Sequence, residues 1–198
     1  MAVDPEGSYG AEVAKRYKEL LAQDGIELKL LPSAGAVDSL ARLQSPESTV
    51  SIAIIPSGVT NEQQSPDLVS LGTLYYEPIW GFSRGRVIQR YEDLAGLRVS
   101  IGPEGSGTHA LSDLFLARVG IIDQKSTKLF LLSAKESAAK LLSGEIDAAI
   151  LLDAWEAREV HELLTAKDVN PMSISRAEAF VALYPFLSKL DLPAGWRT

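Results

Sequence analysis

Hydrophobic positions in the first 60 residues alternate between helical and extended spacing. Helical spacing marks two segments: Val13, Tyr17, Leu20 and Leu21 in the first, and Val37, Leu40 and Leu43 in the second. Asp24 and Gly25 end the first helix, because glycine readily adopts the backbone conformation that closes a helix. Extended spacing predicts strands at residues 27–31 and 50–55, and the β-branched second strand is too apolar for the edge of a sheet.

The second half of the chain repeats this alternation. Strands are predicted at residues 97–101, 128–132 and 146–152. Four helices are predicted. Three of them are marked by apolar residues at helical spacing, namely Leu111, Leu114, Phe115 and Val119 in the first, Ala134, Ala138, Leu141 and Leu142 in the second, and Val160, Leu163 and Leu164 in the third; the fourth covers residues 175–183. Strands that alternate with amphipathic helices are typical of the α/β class.

Residues 68–82 join the two halves and are rich in apolar and aromatic side chains, interrupted by Pro78. We interpret this segment as extended chain, forming two short strands that cross from one lobe to another.

Composition narrows the class of protein. The chain has 198 residues, of which 46% are hydrophobic, and a formal net charge of −7. This length suits one domain or two small lobes. An acidic chain without a Lys/Arg cluster lacks the basic surface that nucleic acid requires. It also contains no cysteine, which excludes disulfides and thiolate sites.

The strongest local motif is the glycine-rich run at residues 101–108, Ile-Gly-Pro-Glu-Gly-Ser-Gly-Thr. A strand ends there and a helix begins with Ser106, Gly107 and Thr108. The positive end of such a helix attracts an anion, and the hydroxyls add donors. An ordinary capped helix after a tight turn is the alternative.

Four other loops have the same position between a strand and a helix: residues 6–9, 33–37, 57–59 and 153–155. Ligands of open α/β sheets collect at the carboxyl ends of strands. We therefore expect small residues to expose backbone donors to a common cleft, namely Gly7, Ser8, Ser33, Gly35, Ser57 and Gly58.

The tetrapeptide Pro-Glu-Gly-Ser occurs twice, at residues 5–8 and 103–106, each time before a helix. Either two similar lobes present the same kind of loop to a shared cleft, or common turn formers recur by coincidence.

Catalytic and metal-binding chemistry has little support. His161 lies in an acidic helical stretch, which indicates a surface position, and His109 lies where a helix dipole disfavours its charged form. No clustered metal ligands are apparent. The aromatic residues Tyr75, Tyr76, Trp80 and Trp155 fit either core packing or the cover of a ligand. We predict no catalytic residue, no metal and no cofactor.

Several segments, in order, resemble the solute-binding proteins of TAXI-type TRAP transporters. The similar segments are Gly-Ser-Tyr at 7–9, Ser-Ala-Gly-Ala-Val-Asp-Ser-Leu at 33–40, Asp-Leu-Ala-Gly-Leu-Arg-Val-Ser-Ile-Gly at 93–102 with Gly-Ser-Gly-Thr at 105–108, Gly-Glu-Ile-Asp-Ala-Ala at 144–149, Tyr-Pro-Phe-Leu at 184–187 and Leu-Pro-Ala-Gly at 192–195.

The resemblance implies a type II periplasmic-binding fold with two α/β lobes, a two-segment hinge and a ligand cleft. Residues 1–78 and 172–198 would form lobe 1, and residues 79–171 lobe 2. The hinge would include residues 75–82 and a return near 169–174. The sequence departs from the family at Gly35, where a Gly-Gly pair is usual, and we expect a fold incomplete at both ends.

The implied function is that of a monomeric, non-enzymatic receptor, periplasmic or extracytoplasmic, with no signal peptide in the sequence itself. It would capture a small organic anion or a glutamate- or glutamine-like amino acid and deliver it to membrane transporter subunits. Its expected ligand contacts are Ser8, Tyr9, Ser33, Gly35, Ser57, Glu77, Ser106, Gly107, Thr108, Asp153 and Trp155. A ligand-sensing domain of a larger protein is one alternative. The other is an enzyme of the phosphoribosyl-transfer or dehydratase kind, with Glu104 and His109 near the main loop.

Overall fold

The computed structural model describes residues 1–6 and 8–192. The chain divides into two compact units, Met1–Tyr75 with Gly105–Ala110, and Tyr76–Glu104 with Leu111–Thr198. The lobe boundaries expected from the sequence stay a prediction.

Unit 1 is built on a very small parallel sheet. Strand β1 (Ala2–Val3) pairs with β2 (Leu31–Pro32). Helix α1 (Tyr9–Gln23) follows β1, and helix α2 (Ala36–Gln44) follows β2. The predicted end of α1 is confirmed, since Gly25 takes a φ of +75° and lets the Ile26 N–H reach the carbonyl of Leu21 at 2.9 Å.

Both strands predicted in this half are shorter than expected. The predicted strand at 27–31 begins only at its last residue, and the one at 50–55 is reduced to a single parallel bridge between Ala53 and Ala2. The physical reason is their common partner: β1 has two residues and cannot extend either ladder. Ile52 consequently remains 38% exposed.

Unit 2 contains a five-stranded mixed sheet in the order β5-β4-β6-β3-β7. The strands are β3 (Ile79–Arg84), β4 (Arg98–Ser100), β5 (Lys128–Phe130), β6 (Ala148–Leu152) and β7 (Val169–Pro171). Strand β4 is parallel to β5 and β6, whereas β3 is antiparallel to β6 and β7. The remaining helices are α3 (Gly107–Arg118), α4 (Ala134–Ser143), α5 (Arg158–Thr165) and α6 (Ala177–Leu183), with a 3-10 helix at Tyr91–Leu94.

The central strand β6 is buried on both faces. Ala149 and Leu151 pack with residues of α4 and α5, and Ala148 and Ile150 pack with a second cluster on the other face. This burial explains why the segment reads as an almost uninterrupted apolar run.

The interpretation of residues 68–82 as two strands is wrong. A single strand begins at Ile79, and residues 68–78 form no strand. Ile79 is the first residue that pairs with β6, so the chain before it is not part of the sheet, and Leu71 is 85% exposed. The two segments expected at the hinge do lie side by side, because β3 pairs with β7 from Phe82↔Pro171 to Arg84↔Val169.

Candidate functional site

Helix α1 begins at the first of the predicted loops. Ser8 caps it, its hydroxyl oxygen accepting the N–H of Ala11 at 3.2 Å. Tyr9 is 37% exposed, and its ring meets that of Tyr75 edge to face at 4.9 Å. Gly7, also expected in this loop, lies outside the described residues.

Ser33 ties the second loop to the sheet of unit 1. Its hydroxyl donates to the carbonyl of Val3 at 2.9 Å and accepts from Ser39 at 2.8 Å. The residue is only 8% exposed. The Ser33 hydroxyl therefore holds the start of α2 in place, and a ligand contact from it stays a prediction.

The start of α2 lies directly against the glycine-rich motif. The Val37 N–H donates to the Gly105 carbonyl at 3.0 Å. A Cβ atom on Gly35 would lie 2.8 Å from that same oxygen and 3.3 Å from the Cα of Ser106. Two of the loops expected at one cleft are thus in contact within unit 1. The structure also shows that Gly35 serves this close approach, and that the nearby Val37 amide is used inside the protein.

Ser106 caps α3 in the way that Ser8 caps α1. Its hydroxyl oxygen accepts the N–H of His109 at 3.1 Å. The two copies of Pro-Glu-Gly-Ser therefore end in serines with the same capping role. Gly107 and Thr108 form the first turn of α3 and are partly buried.

Ser57 and Glu77 belong to different units of the structure. Ser57 lies in an exposed turn of unit 1, and Glu77 is a partly buried residue of unit 2. Their part in ligand binding stays a prediction.

Asp153 and Trp155 follow the carboxyl end of β6 in unit 2. The Trp80 indole N–H donates to the carbonyl of Asp153 at 3.1 Å, and the Trp80 ring lies 5.4 Å from that of Trp155. The Asp153 carboxylate accepts the N–H of Ala154 at 2.9 Å. Burial raises the pKa of the Asp153 carboxyl. Trp80 therefore holds this loop in place. From the sequence alone, Trp80 fitted either core packing or the cover of a ligand.

Sequence reasoning missed Asp4. This residue follows β1 at the edge where the Ser33 loop is anchored, and its Oδ1 atom is buried. The available signal was a charged residue placed directly after an apolar strand and before Pro5.

Within residues 1–6 and 8–192, no group of three or more His, Asp or Glu side chains is arranged to hold a metal ion. No helix among the same residues is long and apolar enough to cross a membrane. His161 is exposed, as predicted. The motif expected at 192–195 falls mostly outside the described residues.

The chain matches known proteins both in sequence family and in structure. A family model described as the NMT1-like family matches residues 8–197. The GluR0 ligand-binding core from Nostoc punctiforme, solved with L-glutamate, is similar with a TM-score of 0.60 at 17% identity, over 86% of this chain and 76% of that chain.

Two binding proteins have similar folds. PhnD1 from Prochlorococcus marinus, solved with methylphosphonate, gives a TM-score of 0.57 at 17% identity over 87% of this chain and 71% of that one. The periplasmic aliphatic sulphonate binding protein SsuA from Escherichia coli gives 0.55 at 19% identity over 89% of this chain and 61% of SsuA. These likenesses confirm the predicted fold class. The chain belongs to the NMT1-like family and has the α/β fold of type II periplasmic substrate-binding proteins.

Proposed function

We propose that this protein is a solute-binding receptor that captures a small organic anion or an amino acid without transforming it. The observation that carries the proposal is the contact in unit 1 between Gly35, at the start of α2, and the Gly105–Ser106 turn, at the start of α3.

Helix starts are suited to anion binding because the backbone dipoles place partial positive charge there. Two starts side by side add their fields at one place. Gly107 and Ser106 at the α3 start leave room for a ligand to approach the backbone closely, whereas the space beside Gly35 is taken by Gly105. Hydroxyl and amide donors can then replace the water that an anion loses on binding.

The similar proteins support this ligand chemistry. Methylphosphonate, aliphatic sulphonate and L-glutamate, named for PhnD1, SsuA and GluR0 respectively, all carry an anionic group. We extend this chemistry to the present chain and propose Ser8, Tyr9, Ser106, Gly107 and Thr108 as its main ligand contacts.

The transporter type and the location follow from the resemblance to TAXI-type proteins. We propose that the receptor is extracytoplasmic, acts as a monomer and passes its ligand to the membrane subunits of a TRAP-type transporter. A ligand-sensing domain of a larger protein is the second candidate, favoured by the likeness to the GluR0 ligand-binding core. A sensing or membrane segment joined to this domain in the gene product would favour the second candidate.

Native mass spectrometry of the purified protein, followed by a thermal-shift screen, tests the proposal. The panel contains amino acids, dicarboxylates, keto acids, phosphonates and sulfonates. We expect at least one compound to raise the unfolding midpoint and to be recovered chemically unchanged. No shift with any compound would contradict the receptor function, and turnover of the bound compound would favour an enzyme.

A double variant locates the site. Ser106→Ala with Thr108→Ala should abolish the ligand-induced shift. Its matched control is Ser133→Ala, because Ser133 caps α4 in unit 2 by accepting the N–H of Glu136 at 3.2 Å. The control loses an equivalent cap and should keep the full ligand response. Equal ligand responses in both variants would exclude the α3 start from the site.

A further inference from the structure

Asp38 and Arg42 form an ion pair one turn apart on α2, and both side chains reach back to the loop before the helix. The Asp38 Oδ2 atom accepts the Ala34 N–H at 2.8 Å and lies 2.8 Å from one nitrogen of the Arg42 guanidinium. A second guanidinium nitrogen donates to Oδ1 at 3.1 Å, and the third donates to the carbonyl of Pro32 at 2.9 Å. The pair therefore holds the loop on both sides of Ser33.

The carboxyl group of Asp38 is held in its charged form. The Ala34 N–H and the Arg42 guanidinium lower its pKa below the usual value. Both side chains of the pair are partly exposed, so water screens their attraction and the pair adds little to the stability of the whole chain. Its effect is local, because a guanidinium that donates to both oxygens of a carboxylate has a defined geometry.

The loop that this pair holds is the one that packs on the glycine-rich motif in unit 1. The hydrogen bond from Ala34 to Asp38 closes a short ring of chain around residues 35–37. Inside that ring, the Val37 N–H donates to the Gly105 carbonyl at 3.0 Å, and Gly35 closely approaches the same oxygen. Asp38 thus fixes both ends of the segment that contacts Gly105.

The contact with Gly105 also sets the direction of the next peptide group. Because a peptide group is planar, fixing the Gly105 carbonyl fixes the direction in which the Ser106 N–H points. Ser106 begins the α3 turn that we propose as the anion site. A site that is in place before binding loses less conformational entropy when the ligand arrives, and therefore binds more tightly.

We propose that Asp38 is a positioning residue of the receptor, which touches no ligand and holds the Val37 amide on Gly105, so that the α3 start is in place before the anion arrives. This inference rests on the proposed receptor function and adds to it the support of the site.

The charge of Asp38 alone leads to the opposite expectation. Asp38 is the acidic residue in the first turn of α2, whose start lies against the proposed anion site. A negative charge there repels an anion, so its removal would tighten anion binding if Asp38 acted only through its charge. The direction of the change in affinity therefore separates positioning from electrostatics.

The test measures dissociation constants of the full chain by isothermal titration calorimetry with five probes: L-glutamate, succinate, 2-oxoglutarate, methylphosphonate and methanesulfonate. Two variants form a series. Asp38→Asn keeps an oxygen for the Ala34 N–H but loses the charge that Arg42 pairs with, and Asp38→Ala loses both.

Asp93→Ala is the matched control. The Asp93 side chain is 32% exposed, as is that of Asp38. Asp93 likewise combines a backbone N–H with an arginine, since it accepts the Arg90 N–H at 3.1 Å and the Arg90 guanidinium at 2.9 Å. It lies in unit 2, at the 3-10 helix.

We expect the dissociation constant of every probe that the wild type binds to rise about two- to fivefold in Asp38→Asn and about five- to thirtyfold in Asp38→Ala. Asp93→Ala should bind those probes as the wild type does. The smaller loss in Asp38→Asn reflects the oxygen that still accepts the Ala34 N–H.

Hydrogen exchange of the ligand-free protein gives a second readout. The Val37 N–H should exchange faster in Asp38→Ala than in the wild type. The Ile26 N–H, which donates to the carbonyl of Leu21 at 2.9 Å after α1, should keep its rate. Faster exchange of both amides would reject positioning in favour of a general loss of stability in unit 1.

The remaining outcomes separate this inference from the receptor function. Unchanged or tighter binding in both Asp38 variants, an unchanged Val37 exchange rate in Asp38→Ala, or equal weakening in Asp93→Ala rejects the positioning role and leaves the receptor function standing. If the wild type binds none of the five probes, the receptor function and this inference are rejected together.

Discussion

Gly35 faces the carbonyl oxygen of Gly105 so closely that a Cβ atom at residue 35 would lie 2.8 Å from it. Real Cβ atoms do not approach oxygen at this distance, so the contact exists only because residue 35 is glycine. The φ of Gly35 is +140°, which L-residues with a side chain rarely adopt. Both properties make this position a structural requirement of the proposed site.

Gly35→Ala should therefore destabilise unit 1 and weaken ligand binding. Backbone strain costs about 1–3 kcal/mol, and overpacking against Gly105 adds about 1–3 kcal/mol. Urea unfolding followed by circular dichroism measures the loss. The ligand-induced thermal shift measures the effect on the site.

Gly72→Ala is the matched control. Gly72 has the same φ of +140°, but a Cβ atom there would meet nothing within 4 Å. The difference between the two variants isolates the contact with Gly105. Equal loss of stability in both would mean that strain alone matters and that the close approach carries no energy.

The helices of the fold could be predicted from the sequence, because their signals are local. Serine caps, glycine ends and apolar faces mark α1 and α4. The predicted glycine stop after α3 is also present, since Gly120 has a φ of +69° in the turn that follows this helix. The strongly apolar run that forms β6 was equally clear.

The strands of unit 1 could not be predicted, because strand length depends on a partner elsewhere in the chain. Residues 50–55 have the composition of a strand, yet β1 offers them a single bridge at Ala2. For the same reason residues 68–78 remain without a strand despite their apolar side chains.

The candidate site, like the fold, could be predicted only in part from the sequence. The loops were visible as glycine- and serine-rich turns, and the Gly35 and Gly105 loops are in contact. That they form a common ligand site stays a prediction. The sequence did not reveal which groups face inward: the Ser33 hydroxyl and the Val37 amide are used within the protein, and Asp4 was overlooked. Such assignments depend on side-chain orientation, which periodicity does not specify.

Arg98 and Asp147 form an ion pair that joins β4 to the residue before β6. The Arg98 guanidinium donates to both Asp147 oxygens, at 2.8 and 3.0 Å, and the Arg98 backbone N–H donates to Oδ2 at 2.9 Å. These hydrogen bonds hold the pKa of the Asp147 carboxyl below its usual value. Asp147→Asn should cost about 1 kcal/mol at neutral pH, because water screens side chains that are 35% and 40% exposed.

The same pair predicts a pH dependence. A lowered folded-state pKa means that the stabilisation is present above the unfolded pKa of about 4 and is lost as the pH falls through the folded value. Unfolding midpoints of wild type and Asp147→Asn should therefore differ at pH 7 and converge in acid. Asp123→Asn, at an exposed position, should follow the wild type throughout. A constant difference at all pH values would show that shape, rather than charge, accounts for the loss.

Phe115 is the centre of an aromatic cluster in unit 2. It is 2% exposed, and its ring lies 5.7 Å from Tyr91, 5.5 Å from Phe180 and 5.7 Å from Tyr184. Because α6 has no fully buried residue, these ring contacts hold it in place. Phe115→Ala should cost about 3–5 kcal/mol in urea unfolding, whereas Tyr17→Ala, at a partly exposed position on α1, should cost far less.

Tyr91 reports on the same cluster. Burial raises the pKa of its phenol to about 12. In Phe115→Ala the cavity should admit water, and the pKa should fall toward 10, the value of an exposed tyrosine. Spectrophotometric titration of tyrosinate measures the change. A phenol that still ionises near pH 12 would mean that the remaining rings close over the cavity.

Gly81 and Met172 make the closest contact between the two segments expected at the hinge. The Met172 N–H donates to the Gly81 carbonyl at 2.7 Å, and a Cβ atom on Gly81 would lie 2.6 Å from Met172 Sδ and 3.1 Å from its Cβ. Gly81→Ala should therefore destabilise unit 2 by about 1–3 kcal/mol through overpacking. Removing the obstructing side chain should relieve the clash, so Gly81→Ala should cost much less in a Met172→Ala background. A double-mutant cycle from urea unfolding gives the coupling energy directly. If the stability losses of the two single variants simply added in the double variant, the clash would be contradicted. Backbone strain would not explain a loss in either background, because the φ of Gly81 is not positive.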